Sequence, residues 1–141
     1  MRGDGSQRGE LEHLAVGLDV TFAGFQRDVV PFYCQADLLV SPSFGPEGCS
    51  LVALEAMAHG VTCLLSNLPV HCEIARDGAI ARLFRNGDAA DLASHMKGML
   101  SSRVLRDDYA VAAHATMQIE HNGDRAIGAY RCVLTALSGQ E

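Results

Sequence analysis

The chain has 141 residues, 48% hydrophobic and 20% charged: enough apolar material for the core of one domain, and too little length for two of ordinary size. Eleven Lys and Arg against seventeen Asp and Glu leave a net charge of −6, which speaks against nucleic acid as a partner. Five cysteines without a Cys-x-x-Cys pair fit neither a disulfide framework nor a zinc site, and the longest apolar stretches fall far short of the roughly 18 residues of a membrane span.

No apolar segment follows the first five residues, so no signal peptide is expected; the composition predicts one soluble, cytoplasmic domain over residues 1–141. Gly3-Asp4-Gly5 reads as a turn. Leu11, Leu14 and Ala15 share a helical face within residues 6–17, with Gly17 placed to end it. Val20-Thr21-Phe22-Ala23 reads as a strand stopped by Gly24, and Pro31 suits the first turn of a short helix over 30–36. Residues 37–42 look like a strand buried on both faces. A Gly- and Pro-rich loop, 44–48, leads to a predicted helix over 50–59 ended by Gly60. Strands follow at 61–66 and, more weakly, 80–84, with Asp88 as an N-cap; helices are predicted over 89–100, 104–115 and 125–137. Strands separated by helices imply parallel pairing, so the expected fold class is α/β, a Rossmann-like open parallel sheet with helices on both faces. Ligands in such sheets sit at the carboxyl ends of the strands, here Gly24-Phe25, residues 41–48 and Ser66-Asn67.

Residues 40–60 carry the chemistry. A strand ends, a flexible loop crosses, and a helix begins near Gly48. The first amides of a helix lack internal partners and lie at its positive dipole end; Gly48 lets a phosphate approach the backbone and Ser50 adds a hydroxyl, which together make an anion site. Glu47 precedes that helix and Glu55 lies eight residues on, about 12 Å along a helix axis, the span of a diphosphate with a sugar at each end. Carboxylates repel phosphates but accept from sugar hydroxyls. The plainer readings are a solvated loop carboxylate for Glu47 and, for Glu55 among Leu51, Val52, Ala53, Leu54, Ala56, Met57 and Ala58, a buried ion pair with an Arg.

The Glu-x7-Glu pattern Glu47 to Glu55, continuing as Ala56-Met57-Ala58-His59-Gly60, resembles the signature of the retaining glycosyltransferases of family 4, also called group 1. Residues 3–5, 20–25, Phe32-Tyr33, 36–43, 66–71, Glu73-Ile74, Leu83-Phe84 and Gly87-Asp88 match in the same order, so the resemblance covers roughly residues 3–100. It implies the nucleotide-sugar-binding half of a two-domain GT-B enzyme. By similarity, Glu47 is the catalytic-site residue that holds donor-sugar hydroxyls, and Glu55 holds the ribose. The amides of Gly48, Cys49, Ser50 and Leu51 would meet the diphosphate, and Gly24 and Phe25 would lie against the base. The donor would be a nucleoside-diphosphate sugar. No metal or other cofactor is expected, since the helix dipole and basic side chains stabilise the leaving group, and the chain lacks an Asp-x-Asp triplet.

The chain departs from the pattern at Cys49-Ser50, where many members have Phe-Gly, and at Thr62, where many have Pro. In the family two further strands, an Arg and Lys that hold the diphosphate, and an acceptor-binding half precede the Gly-Asp-Gly turn. The expectation is therefore a partial donor domain, inactive without an N-terminal half, whose open strand edges pair with that half or another chain. The acceptor is unknown, and any peripheral membrane association would run through the N-terminal half. The rival readings are a non-catalytic nucleotide-binding or partner-subunit module, and a nucleotide-sugar epimerase of the same architecture.

Weaker signals remain. His71 either lines the cleft or sits on a surface loop, and Arg76, Arg82 and Arg85 form either a phosphate-facing patch or ordinary surface. Cys49 at a helix start is a small residue near the ligand rather than a redox centre. Ser41, Ser43 and His59 lack the G-x-S-x-G elbow of triad chemistry, and the six histidines show no HxxxH or HExxH spacing.

Overall fold

Residues 5–121 and 123–138 are described by the structure, a computed structural model, with the side chains of 136–138 excepted. The Gly3-Asp4 part of the expected turn lies outside the described residues. The elements run α1 (Arg8–Leu14), α2 (Val30–Gln35), β1 (Leu39–Ser41), α3 (Leu51–Ala58), β2 (Cys63–Ser66), α4 (Pro69–Ile74), β3 (Arg82–Phe84), α5 (Ala89–Ser101), α6 (Arg103–Glu120) and α7 (Gly123–Ser138). Their contacts divide the chain into two compact units, Met1–Phe32 and Tyr33–Glu141.

In the first unit Arg8 Nε pairs with Glu12 Oε1 at 2.7 Å, one turn along α1. The expected strand Val20–Ala23 does not form. A strand exists only where a neighbour completes its ladder, and among the described residues no strand pairs with this segment. Val20 N–H donates to Leu18 O at 2.9 Å, Arg8 Nη2 reaches Phe22 O at 3.4 Å, and the Gln26 amide donates to Ala23 O at 2.6 Å. Gly24 turns the chain at φ +65, as expected of it.

The second unit is built on a parallel sheet in the order β1-β2-β3, with Val40 opposite Leu64 and Leu65 opposite Leu83. β2 is central and all four of its residues are buried. This is the behaviour expected of a parallel strand covered on both faces, and it confirms the α/β class. Leu64, Phe84 and Met99 form the core cluster, with Leu38, Val40, Leu92, Met96 and Tyr109 packed around them. Burial pushes the Cys63 thiol up to about 12, so it sits in the core as a neutral, inert group.

Polar bonds fix the helices. Asp88 caps α5 by accepting from Asp91 N at 2.9 Å, and Ser102 caps α6 by accepting from Leu105 N at 3.3 Å. Arg106 Nη1 donates to Met99 O and Leu100 O at 2.9 Å each, closing the carboxyl end of α5. His114 of α6 bonds Ala58 O at 2.9 Å, and the hydroxyl of Thr62, the position where Pro was expected, donates to Arg106 O at 2.6 Å. α4 is an element the sequence reading passes over. Its signal is the one used for α2, a proline in the first turn.

Candidate functional site

The parallel strands bring their carboxyl ends, Ser41, Ser66 and Phe84, to one edge of the sheet, and the loops leaving them are tied together there. The Ser66 hydroxyl donates to Ser43 O at 2.7 Å. Asn86 donates from its side chain to Phe44 O at 3.1 Å and from its backbone to Asn67 Oδ1 at 2.8 Å, while Asn67 N–H donates to Phe84 O at 2.8 Å. Gly87 completes the rim. Its φ of +75 favours glycine, and a Cβ there would stand 2.9 Å from the Phe44 ring. These bonds hold the loop that carries Glu47 against the ends of β2 and β3.

Glu47 lies in irregular chain, because α3 starts at Leu51 rather than near Gly48. The 12 Å helical spacing expected between Glu47 and Glu55 therefore does not apply; only 51–55 of that interval is helical. The reason is local. Leu51 N–H donates to Cys49 O at 3.1 Å, an inverse γ-turn about Ser50 at φ −85 and ψ 77. That turn uses the Leu51 amide expected to face a diphosphate. Among the described residues the amides of Gly48, Cys49 and Ser50 make no hydrogen bond and the buried Ser50 hydroxyl has no partner, while Gly48 and Cys49 are exposed. Ala53 N–H and Leu54 N–H both close on Ser50 O, at 3.0 and 3.1 Å.

Glu55 corrects the expectation of a buried carboxylate. Ala53, Ala56 and Met57 form the inner face of α3, at helical spacing, and Glu55 lies exposed with Leu51 and Val52. Its partner is not an Arg. The Tyr33 hydroxyl donates to Glu55 Oε2 at 3.0 Å, and Tyr33 in turn stacks on His59 with ring centroids 5.2 Å apart. Tyr33 was visible only as a matching letter beside Phe32; a buried tyrosine needing a hydroxyl partner is the signal that could have paired it with Glu55.

His71, on α4, is fully buried, with Nδ1 2.9 Å from Ser66 O and Nε2 3.1 Å from Glu47 Oε2. It lines the site rather than a surface loop. Arg76 pairs with Glu120, Arg82 Nε reaches His95 Nδ1 at 3.2 Å, and Arg85 reaches Asp88 at 3.2 Å and Asp91 at 3.4 Å. Arg76 stands apart on its contact with Glu120, while Arg82 and Arg85 meet through His95 and Asp91, which are 3.7 Å apart; each Arg is engaged with a carboxylate or a histidine. The Arg85 backbone N–H and guanidinium hold the Asp91 carboxyl below its ordinary range, and the Arg76 guanidinium does the same for Glu120. Ser41 Oγ is 3.5 Å from Ser43 Oγ, while His59 is engaged with Tyr33 and its own helix, so no nucleophile–base pair is assembled from them. Gly24, half-buried, and Phe25, 72% exposed, belong to the first unit. Among the described residues no group of three or more His, Cys, Asp or Glu is placed to hold a metal, and no helix is long and apolar enough to cross a membrane.

At the carboxyl edge of the sheet the loop after β1 thus carries Glu47 and an open amide run, with the buried His71 of α4 against Glu47, while Glu55 stands on α3 beside Tyr33. The chain belongs to the glycosyl transferases group 1 family, whose model matches residues 1–102. It is 36% identical over 77 residues to a phosphatidyl-myo-inositol mannosyltransferase of Mycobacterium leprae, covering 55% of this chain and 21% of that protein. It is 30% identical over 139 residues to the lipopolysaccharide core biosynthesis glycosyltransferase LpsE of Rhizobium meliloti, covering 95% of this chain and 40% of that one. The fold matches that of Alr3699/HepE from Anabaena, solved in complex with UDP, with a TM-score of 0.84 at 22% identity over 98% of this chain and 40% of that one. The chain thus spans two fifths or less of the length of each of these proteins.

Proposed function

We propose that this chain binds the nucleoside-diphosphate sugar donor of a retaining glycosyltransferase that moves the sugar to an acceptor, in a reaction completed by an acceptor-binding half. The observation that carries this reading is the run of unbonded amides from Gly48 to Ser50, with Glu47 on one side and the exposed Glu55 on the other. Amides of Gly48, Cys49 and Ser50 would donate to the diphosphate, beside the positive end of α3. Glu47 would accept from hydroxyls of the transferred sugar. Glu55, aimed by Tyr33, would accept from the ribose. As the bond between the anomeric carbon and the diphosphate oxygen breaks, negative charge grows on the departing phosphate. Fixed backbone donors stabilise it without a metal, so no cofactor is required. The solved complexes of HepE with UDP and with UDP-glucose are consistent with such a donor.

A non-catalytic nucleotide-binding subunit is the second reading. It is favoured by β1, which among the described residues pairs only with β2 and leaves its other edge open.

Calorimetric melts of the chain, alone and with UDP, GDP or ADP, test nucleotide binding. Ligand at a hundred times its Kd should add about 2.7 kcal/mol of stability, and one of the three nucleotides is expected to raise the transition. A transition indifferent to all three would remove both readings. Sugar transfer on adding an acceptor-binding half separates them, since only the enzyme reading predicts it.

A further inference from the structure

A carboxylate next to a diphosphate is unfavourable unless its charge is compensated. Glu47 directly precedes the open amides of Gly48 to Ser50, so the anion they would hold lies beside it. The compensation is read from the hydrogens around His71. The Ser66 hydroxyl spends its proton on Ser43 O, at 2.7 Å. Towards His71 Nδ1, at 3.1 Å, that hydroxyl oxygen can therefore only accept, and Ser66 O at 2.9 Å is an acceptor by nature. Nδ1 must carry a hydrogen. Nε2 and Glu47 Oε2 stand 3.1 Å apart in an enclosed space, and neither atom has a hydrogen-bond partner among the described residues; with a neutral ring two acceptors would face each other there and repel. A hydrogen on Nε2 removes the conflict and makes the contact an imidazolium–carboxylate pair.

We infer that His71 is a positioning residue for Glu47: with hydrogen on both ring nitrogens it forms an ion pair from Nε2 to Glu47 Oε2, fixes the carboxylate and cancels its charge beside the diphosphate. This rests on the donor-site reading above. Oε2 is enclosed while the Glu47 side chain keeps 24% of its surface exposed, so the part not held by His71 is left for a sugar hydroxyl. The ring itself has no exposed surface and is anchored from behind by the end of β2, which makes it a rigid support for a carboxylate on a loop.

Two measurements test this. Long-range nitrogen–proton correlation spectra of the unsubstituted chain should show hydrogen on both nitrogens of His71; a bare Nε2 overturns the inference. UDP affinity supplies the second, since UDP carries no sugar for Glu47 to hold. His71→Leu leaves Glu47 uncompensated and should weaken UDP binding by about tenfold, while adding Glu47→Gln to that variant should recover most of the loss. An equal loss in the single and double variants, or none in the single, overturns it. If the unsubstituted chain binds none of UDP, GDP and ADP, the donor-site reading falls, whereas the ring spectrum still decides whether His71 carries the second hydrogen.

Discussion

Leu64→Ala is expected to cost about 2–5 kcal/mol of stability, the range for emptying a leucine site in a packed core. Leu64 is fully buried in the middle strand of the sheet and is packed with Phe84 and Met99. Those neighbours belong to β3 and α5, each anchored by its own ladder or cap, so they cannot collapse into the space left behind. Against a total of about 5–15 kcal/mol for an ordinary domain, this loss is severe. Urea titration should show a lower midpoint with an unchanged slope. The exposed Val104 supplies the control, because Val104→Ala should change stability by no more than about 0.5 kcal/mol. A Leu64→Ala cost below about 1 kcal/mol would mean that the three-stranded core is not packed as described.

Glu55→Ala should weaken binding of the nucleotide that raises the melt by about 1–3 kcal/mol, the scale of losing charge-assisted hydrogen bonds to a ligand. Stability should change little, because the carboxylate is exposed and is held by the Tyr33 hydroxyl at 3.0 Å. Separating affinity from stability is what distinguishes a ligand-holding group from a structural one. Titration calorimetry on the variant and the unsubstituted chain gives the comparison directly. Equal affinities would take Glu55 out of the site and leave the exposed Leu51 and Val52 beside it as ordinary surface.

The parallel sheet was legible because burial on both faces writes itself as short apolar runs, and residues 61–66 are buried without exception. Caps were equally readable: an aspartate before a helical period, as at Asp88, has one obvious use. Val20–Ala23 was misread because an apolar β-branched run states a propensity, whereas a strand needs a partner that no local pattern supplies. The error at Glu55 has another origin. Counting apolar neighbours along α3 ignored its period, which sends Ala53, Ala56 and Met57 inward and Glu55 outward. The Glu-x7-Glu spacing marked the site, but the contacts that aim its carboxylates come from Tyr33 and His71, 22 and 24 positions from Glu55 and Glu47 in the chain. Such pairings are set by tertiary packing, so composition and spacing could nominate those residues without joining them.

Backbone amide spectra of the nitrogen-labelled chain, recorded while nucleotide is added, test the central claim most directly. If the amides after Glu47 hold the diphosphate, the signals of Gly48, Cys49 and Ser50 should move with saturation, and those of the exposed residues of α7 should stay still. Saturation that leaves those three amides unmoved would contradict the account, whatever else in the chain responds.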